Sequence, residues 1–164
     1  VLIDAVSRLP AGQCQLDVFG RLETFPDYAA HLRERAAGLP VTFHGGFAGT
    51  VADVLARIDV LVVPSIWPEN SPLVIHEAFQ AGVAVVGSRI GGIPELVTDG
   101  VNGRLVTAGS ADDLARVLRE LVAAPATVAA FAAAAPTVKS IGADAADWDR
   151  RYAAVTARPA QVTA

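Results

Sequence analysis

Short apolar, β-branched runs alternate with longer amphipathic stretches along most of the chain. The apolar runs predict strands over residues 15–19, 41–44, 60–64, 83–86 and 103–106. The amphipathic stretches predict helices over residues 1–9, 26–37, 50–58, 71–81, 94–98, 111–123 and 144–156. Strands that alternate with helices are typical of a parallel sheet covered by helices. We therefore predict an α/β domain with helices on both faces of a parallel sheet.

The predicted strand over residues 60–64 is almost wholly apolar, as expected when both faces of a sheet are covered. It ends at Pro64, and a loop over residues 65–70 precedes the next helix. In open parallel sheets, ligands bind beyond the carboxyl ends of the strands. The loop therefore lies where a ligand site is expected.

The helix that follows this loop has an amino terminus suited to an anion. Ser71 is predicted to accept hydrogen bonds from the first free amides, and Pro72 suits the first helical position. The N–H groups of Leu73 and Val74 would then have no partner within the helix. Such amides bind phosphate well, although water satisfies them at most helix starts.

A carboxylate occupies the apolar face of the same helix. Glu77 shares that face with Leu73, Val74 and Ala81, and burying it is costly unless something donates hydrogen bonds to it. The two vicinal hydroxyls of a ribose would supply two donors. Backbone amides or an arginine would satisfy Glu77 equally well without a ligand. Glu69, in the loop, would face either a sugar ring or solvent.

Composition narrows the class of protein. Of the 164 residues, 52% are hydrophobic and 18% are charged, which suits one folded domain. The net charge is −4 and no basic block stands out, so we expect no nucleic-acid partner. Cys14 is the only cysteine, which excludes an internal disulfide. The chain has no apolar run of the roughly 20 residues that a membrane span requires. We expect a cytoplasmic protein.

A longer series of motifs surrounds the two glutamates. Seven residues separate Glu69 from Glu77, and residues 81–86 read AGVAVV. Residues 91–97 then read GGIPELV, and residues 99–103 read DGVNG. This series resembles the C-terminal domain of retaining family 4 glycosyltransferases of the GT-B fold. The resemblance runs from residue 1 to about residue 155.

The resemblance implies roles for particular residues in binding a nucleotide-sugar donor. Glu77 would bind the ribose, and Glu69, beside the donor sugar, would be the catalytic residue. The helix start, with Ser71 and the amides of Leu73 and Val74, would bind the diphosphate. The loop from Gly45 to Phe47 would lie near the base, and the turn at Gly20 would border the donor cleft.

The chain departs from the family pattern at two places. Many relatives carry an aromatic–glycine pair after the first glutamate, where this chain has Asn70, Ser71 and Pro72. Proline has no N–H group, so the diphosphate would receive one fewer hydrogen bond. In addition, the family's basic residues and central first strand precede the first helix, in which this sequence begins. Arg21, Arg89 and Arg104 are the remaining candidates for contact with the diphosphate.

The resemblance also implies an incomplete Rossmann-like sheet. The intact strand order would be 3-2-1-4-5-6, and without the first strand a gap separates the strands at residues 15–19 and 60–64. Either these two strands pair directly or something else fills the gap. We expect residues 1–156 to form the nucleotide-sugar-binding domain and residues 157–164 to form a frayed tail. The helix with Trp148 and Tyr152 would cross back to a missing N-terminal domain.

The intact enzyme implied by the resemblance is a hexosyltransferase. It would transfer a sugar from a UDP- or GDP-linked donor to an acceptor with retention of configuration, without a cofactor or metal. The acceptor site would lie in the N-terminal domain, so the fragment alone would be inactive. Contact with a membrane would be peripheral, at the inner face.

Three alternatives remain open. The first is a sugar-nucleotide epimerase of GT-B architecture, and the second is a degenerate transferase domain kept for its interactions. The third is a non-catalytic α/β module, either a regulatory nucleotide-binding module or a phospho-receiver. A receiver needs acidic residues clustered at strand ends, whereas Asp17 lies inside its strand and Asp59 precedes one.

Overall fold

The chain folds into alternating strands and helices, in a computed structural model that describes residues 1–47 and 49–157. The strands are β1 (Leu16–Phe19), β2 (Val41–Gly45), β3 (Val60–Val63), β4 (Ala84–Ser88) and β5 (Gly103–Val106). The helices are α1 (Leu2–Val6), α2 (Pro26–Arg35), α3 (Val51–Leu55), α4 (Leu73–Gln80), α5 (Ile93–Leu96), α6 (Ala111–Ala123), α7 (Pro125–Ala133) and α8 (Ile141–Thr156).

All of these strands pair in parallel, as the alternating pattern predicts. β1 pairs with β2, and β4 lies between β3 and β5. β4 is buried throughout, with Val85 directed into a core built on α4 and α5. Its neighbours Ala84 and Val86 face a second core, built on α6 and α7. The predicted α/β sheet with helices on both faces is confirmed.

The sheet is interrupted between β1 and β3. In the described part of the chain, each of these strands pairs along one edge only, so they do not pair with each other. A cavity of about 970 Å³ separates them, lined by both strands and by apolar side chains of α1, α3, α6 and α7. Of the two arrangements left open above, direct pairing is therefore excluded. The order β2-β1, gap, β3-β4-β5 agrees with the expected order lacking its first strand.

Capping explains where several helices begin. Thr50 and Asp53 form a reciprocal capping box at α3, and the Ser110 hydroxyl accepts from the Asp113 amide at α6. α8 begins three residues before the predicted start because Ser140 caps it. α1 is shorter than predicted, ending at Val6. The domain limit at residue 156 stays a prediction, and the tail from residue 158 lies outside the described residues.

Asp99 joins the end of α5 to β5 and α6. Its Oδ1 accepts from the Leu105 N–H at 2.9 Å and from Arg104 Nε at 3.1 Å, and its Oδ2 accepts from Arg89 at 3.0 Å. Arg104 continues to Glu120 of α6 at 2.8 Å. Burial by itself would raise the pKa of Asp99, but these hydrogen bonds and the Arg104 charge outweigh it and lower that pKa.

We expect Asp99→Asn to lower the free energy of unfolding by about 1 kcal/mol at pH 7. The Asp99 carboxylate is 36% exposed, so solvent screening limits its ion pairs and the bond to Leu105 should contribute most. Because folding lowers the pKa of Asp99, the stabilisation is complete above the unfolded pKa, near 3.8. It disappears as the pH falls through the folded pKa.

Urea unfolding at pH 7 and pH 3 would measure this difference. Asp149→Asn is the matched control, because Asp149 is exposed and has no ion pair with another described residue. A deficit in Asp99→Asn that stays constant between the two pH values would contradict the assignment.

Candidate functional site

The start of α4 differs from the sequence prediction. The helix begins at Leu73, and Pro72, with an extended backbone (φ −61°, ψ 112°), is its N-cap. Ser71 therefore lies one residue too early to cap the helix, and the predicted cap is wrong. The Ser71 hydroxyl lies 3.0 Å from Nε2 of His76 instead. Since Pro72 has no side-chain acceptor, the first amides of α4 receive no side-chain cap.

The free amides of α4 are those that the sequence indicates. Ile75 donates to the Pro72 carbonyl at 3.0 Å, whereas the N–H groups of Leu73 and Val74 have no acceptor among the described residues. The Leu73 side chain is 74% exposed, and Val74 is half-buried against the core. The helix thus presents two unpaired donors at its positive end, which favours an anion there.

Glu77 lies where the helical periodicity places it, beside Val74. It is half-buried and lines the 970 Å³ cavity as well as a second cavity of about 340 Å³. Within residues 1–47 and 49–157, neither a backbone amide nor an arginine donates a hydrogen bond to the Glu77 carboxylate. The alternative stated above, in which the protein's own donors satisfy Glu77 without a ligand, is therefore not observed among these residues. The carboxylate is therefore available to donors from a ligand.

The large cavity extends well beyond this carboxylate. Most of its lining is aliphatic and lies in the gap between β1 and β3. Near the carboxyl ends of the strands the lining includes Phe19, Phe47, Val74 and Glu77. That end of the cavity combines a carboxylate with the two aromatic rings of its lining, which suits a nucleoside, whereas Gln13, Gln15, Arg57 and Asp59 line it near the amino ends of the strands.

Glu69 lies in the loop after β3 and is oriented by two contacts. The Ser65 hydroxyl donates to Glu69 Oε1 at 3.0 Å, and Ser65 itself is only 7% exposed. The N–H of Gly92, which follows β4, donates to the Glu69 carbonyl at 2.7 Å. Both the side chain and the backbone of Glu69 are therefore held in place.

The turn at Gly91 and Gly92 requires glycine. A Cβ at Gly91 would lie 2.3 Å from the Glu69 carbonyl oxygen, and Gly91 has a φ of +56°. A Cβ at Gly92 would lie 1.8 Å from the carbonyl oxygen of Asn70. The backbone carrying Glu69 lies directly against this turn, which is why the GG pair follows β4.

Gly20 and Gly45 meet at the carboxyl ends of β1 and β2. The Gly20 N–H donates to the Gly45 carbonyl at 2.8 Å, and Gly45 has a φ of +74° that favours glycine. Neither residue lines the two cavities described above. The two predicted positions are adjacent to each other, on the side of the gap opposite α4.

An aromatic cluster lies beside these glycines. The rings of Phe19 and His44 stack with their centroids 4.4 Å apart, and Phe47 meets Phe19 edge-on at 6.3 Å. His44 Nε2 lies 2.6 Å from Oδ1 of Asp17, which orients the imidazole. Phe47 is 44% exposed and contributes an aromatic surface at the end of the cavity.

Two of the three candidate cations are already paired. Arg89 and Arg104 both bond to Asp99, so their charges are shared with that carboxylate. The Arg21 side chain lies beside Gly46, with no acidic group within 4.0 Å in the described segments. Arg21 is therefore the candidate with a free charge near the loop of Gly45 and Phe47.

The described residues contain neither a cluster of metal ligands nor a helix that could span a membrane. In this part of the chain no group of three His, Cys, Asp or Glu side chains could hold a metal ion. None of the described helices combines the length and apolarity needed to cross a bilayer.

The last helix presents aromatic side chains to solvent. None of the residues of α8 is buried, and the rings of Trp148 and Tyr152 lie 5.8 Å apart on one face, as their spacing predicts. Tyr152 is 63% exposed. The aromatic face of α8 is therefore open to solvent.

The structure brings the predicted positions together in two groups. One consists of Glu69, Ser71, Leu73, Val74 and Glu77, and the other of Gly20, Gly45 and Phe47. Sequence reasoning missed the bond from Ser65 to Glu69 and the pairing of Asp17 with His44. Ser65 begins the predicted loop at residues 65–70, but no spacing rule indicates which loop residue a serine contacts.

The fold and the site define an α/β domain with a polar site at the carboxyl ends of its parallel strands. The sequence model described as "Glycosyl transferases group 1" matches residues 1–124. The chain belongs to this family, and its fold is that of a C-terminal GT-B domain.

Individual relatives agree with this assignment. A D-inositol 3-phosphate glycosyltransferase of Arthrobacter sp. (strain FB24) is 36% identical over 124 residues, which cover 74% of this chain and 29% of the relative. An alpha-maltose-1-phosphate synthase of Mycobacterium tuberculosis (strain ATCC 25618 / H37Rv) is 42% identical over 86 residues, 48% of this chain and 22% of the relative.

A solved structure gives a similar result. HepE of Anabaena in complex with UDP-glucose superposes with a TM-score of 0.80 at 30% identity, over 94% of this chain and 43% of HepE. The chain therefore spans less than half the length of each of these three proteins.

We expect Gly92→Ala to destabilise the protein by about 1–3 kcal/mol, because the new methyl group would overlap the Asn70 carbonyl and displace the Glu69 loop. The φ of Gly92 is −81°, so the cost is steric and not conformational. Gly142→Ala is the control, since a Cβ at Gly142 of α8 meets no atom within 4 Å. Equal unfolding midpoints in urea for the two variants would show that the contact is not as tight as described.

Proposed function

We propose that this chain is the donor-binding domain of a retaining family 4 glycosyltransferase that transfers a hexose from a nucleotide sugar. The observation that carries the proposal is the half-buried carboxylate of Glu77, on a helix whose first amides, like this carboxylate, have no hydrogen-bond partner among the described residues. A nucleoside diphosphate has both complementary groups, an anion and a vicinal diol.

The diphosphate is proposed to bind at the start of α4. The N–H groups of Leu73 and Val74 would donate to its oxygens, and the positive end of the helix favours the negative charge that grows on the leaving diphosphate. The Ser71 hydroxyl lies at the same helix start and would add a donor once it turns from His76. Arg21 supplies a free positive charge on the opposite side of the gap.

The ribose is proposed to bind Glu77. A carboxylate with no hydrogen-bond partner among the described residues can accept from both hydroxyls, and hydrogen bonds to a charged group are stronger than those between neutral groups. Phe47, across the gap at the same end of the cavity, offers an aromatic surface for the base, with Gly45 and Gly20 shaping the turns beside it. The nucleoside would thus span the carboxyl end of the gap.

Glu69 is proposed to be the catalytic residue that contacts the donor sugar. It precedes α4, and a sugar attached to a diphosphate at the helix start lies within reach of this loop. Holding a sugar between a fixed carboxylate and a fixed anion site lowers the entropic part of the barrier. Transfer with retention of configuration is the outcome proposed for the whole enzyme.

A UDP-sugar is the donor we propose first, with a GDP-sugar second. HepE, which is 30% identical, has been solved in complex with UDP-glucose, which supports this order. We propose that no metal or cofactor is required, because the helix amides and the Arg21 guanidinium can stabilise the charge of the diphosphate. The acceptor would bind a separate N-terminal domain, against which the aromatic face of α8 would pack. The cytoplasm, including the inner face of the membrane, is the proposed location.

We expect Glu77→Ala to weaken UDP binding by at least about 1 kcal/mol, a factor of about five in Kd. Calorimetric titration with UDP and 2′-deoxy-UDP would separate a ribose contact from a general loss. The unsubstituted protein should bind UDP more tightly than 2′-deoxy-UDP, and Glu77→Ala should bind the two nucleotides equally.

Glu34→Ala is the matched control for this measurement, because Glu34 is an exposed glutamate of α2 without an ion pair to any described residue. A Kd for UDP that Glu77→Ala leaves unchanged would overturn the ribose assignment.

We expect the chain alone to bind the donor weakly and to transfer no sugar, because the acceptor site is assigned to another domain. The measurement is release of UDP from UDP-glucose with and without added acceptor sugars. Turnover of UDP-glucose into a second UDP-sugar without acceptor would favour the epimerase alternative. Sugar transfer above the rate of hydrolysis would overturn the assignment of the donor and acceptor sites to separate domains.

A further inference from the structure

We propose that Ser65 is a positioning residue that aims the carboxylate of Glu69 at the donor sugar, together with the turn at Gly91 and Gly92. The inference rests on the proposed function and adds to it a residue that acts on the sugar subsite through Glu69. Ser65 is not proposed to touch the donor.

The bond from Ser65 to Glu69 is a specific loop contact. Ser65 and Glu69 are four residues apart, a spacing that produces contacts in a helix, but the segment between β3 and α4 contains no helix. The hydroxyl of Ser65 is buried, and it donates to Oε1 of Glu69 at 3.0 Å. An ionised carboxylate can only accept, so the direction of this bond is settled.

The backbone of Glu69 is fixed independently of its side chain. The Gly92 N–H bonds to its carbonyl, and the Gly91–Gly92 turn leaves no space for a Cβ against it. With the main chain held by the loop after β4 and one carboxylate oxygen held by Ser65, the side chain loses most of its rotational freedom. A carboxylate that is ordered before the ligand binds loses less conformational entropy on binding.

The two oxygens of Glu69 are therefore unequal. Oε1 is occupied by Ser65, and Oε2 has no hydrogen-bond donor in the described portion of the chain. Glu69 is only partly exposed, so Oε2 is the oxygen left for a hydroxyl of the sugar. Without the Ser65 hydroxyl, both oxygens would compete for the same ligand donor and the carboxylate would rotate.

The test compares affinities for UDP and for UDP-glucose, because only UDP-glucose has the group that Glu69 faces. Ser65→Val and Ser65→Thr have the same shape and differ in the hydroxyl alone, so their comparison isolates the hydrogen bond. We expect Ser65→Val to bind UDP-glucose about three- to tenfold more weakly than Ser65→Thr, with equal Kd values for UDP. Ser88→Ala, at a buried serine that ends β4, is the control for the loss of a buried hydroxyl.

Combination with Glu69→Ala, which removes the acceptor of the Ser65 hydroxyl, shows whether the effect passes through Glu69. If it does, Ser65→Val and Ser65→Thr should bind UDP-glucose equally in the Glu69→Ala background. Equal UDP-glucose affinities in the presence of Glu69, equal losses for UDP and UDP-glucose, or a difference that persists without Glu69 would each overturn the positioning role. Failure of the proposed function has a different signature, namely that the original protein binds neither UDP-glucose nor GDP-mannose, and it would remove both proposals.

Discussion

The parallel pairing of β3, β4 and β5 is the constraint on which the site depends. Because parallel strands end at the same edge of a sheet, the loop after β3 and the turn after β4 emerge side by side. This brings Gly92 against the backbone of Glu69, although 22 residues of sequence lie between them. β4 is buried on both faces, with Val85 in one core and Val86 in the other, so the strand from which the Gly91–Gly92 turn follows is fixed by packing on both sides.

The gap between β1 and β3 shapes the other half of the molecule. In the described part of the chain the free edges of β1 and β3 border a largely aliphatic cavity, and Glu77 and Phe47 lie at its end near the carboxyl ends of the strands. A carboxylate that receives no hydrogen bond from an arginine or an amide of the described residues is costly in such surroundings, unless a ligand supplies hydrogen bonds. The same argument distinguishes Glu77 from Asp99, whose hydrogen bonds to Leu105, Arg104 and Arg89 are already complete and whose role is therefore structural.

The start of α4 differs from the prediction at one residue, its N-cap, but the predicted anion site at the Leu73 and Val74 amides is unaffected. Ser71 was expected to cap the helix, but the extended backbone of Pro72 moved the first helical residue to Leu73. The unpaired amides are nevertheless those of Leu73 and Val74, because the residue before them is a proline in either register. The family assignment depends on a series of motifs spread over several elements, so it does not depend on this boundary.

Local patterns in the sequence predicted the strands, most of the helices, the parallel α/β arrangement and the positions of the two glutamates, but not helix α7. Periodicity, glycines and caps such as Thr50 and Ser110 act over a few residues, and the family motifs are local strings. The tertiary structure alone decided that β1 and β3 stay apart, that Arg89 and Arg104 are paired with Asp99, and that Ser65 contacts Glu69. These facts depend on which side chains come into contact across loops and strands, and the spacing of residues along the sequence does not specify such contacts.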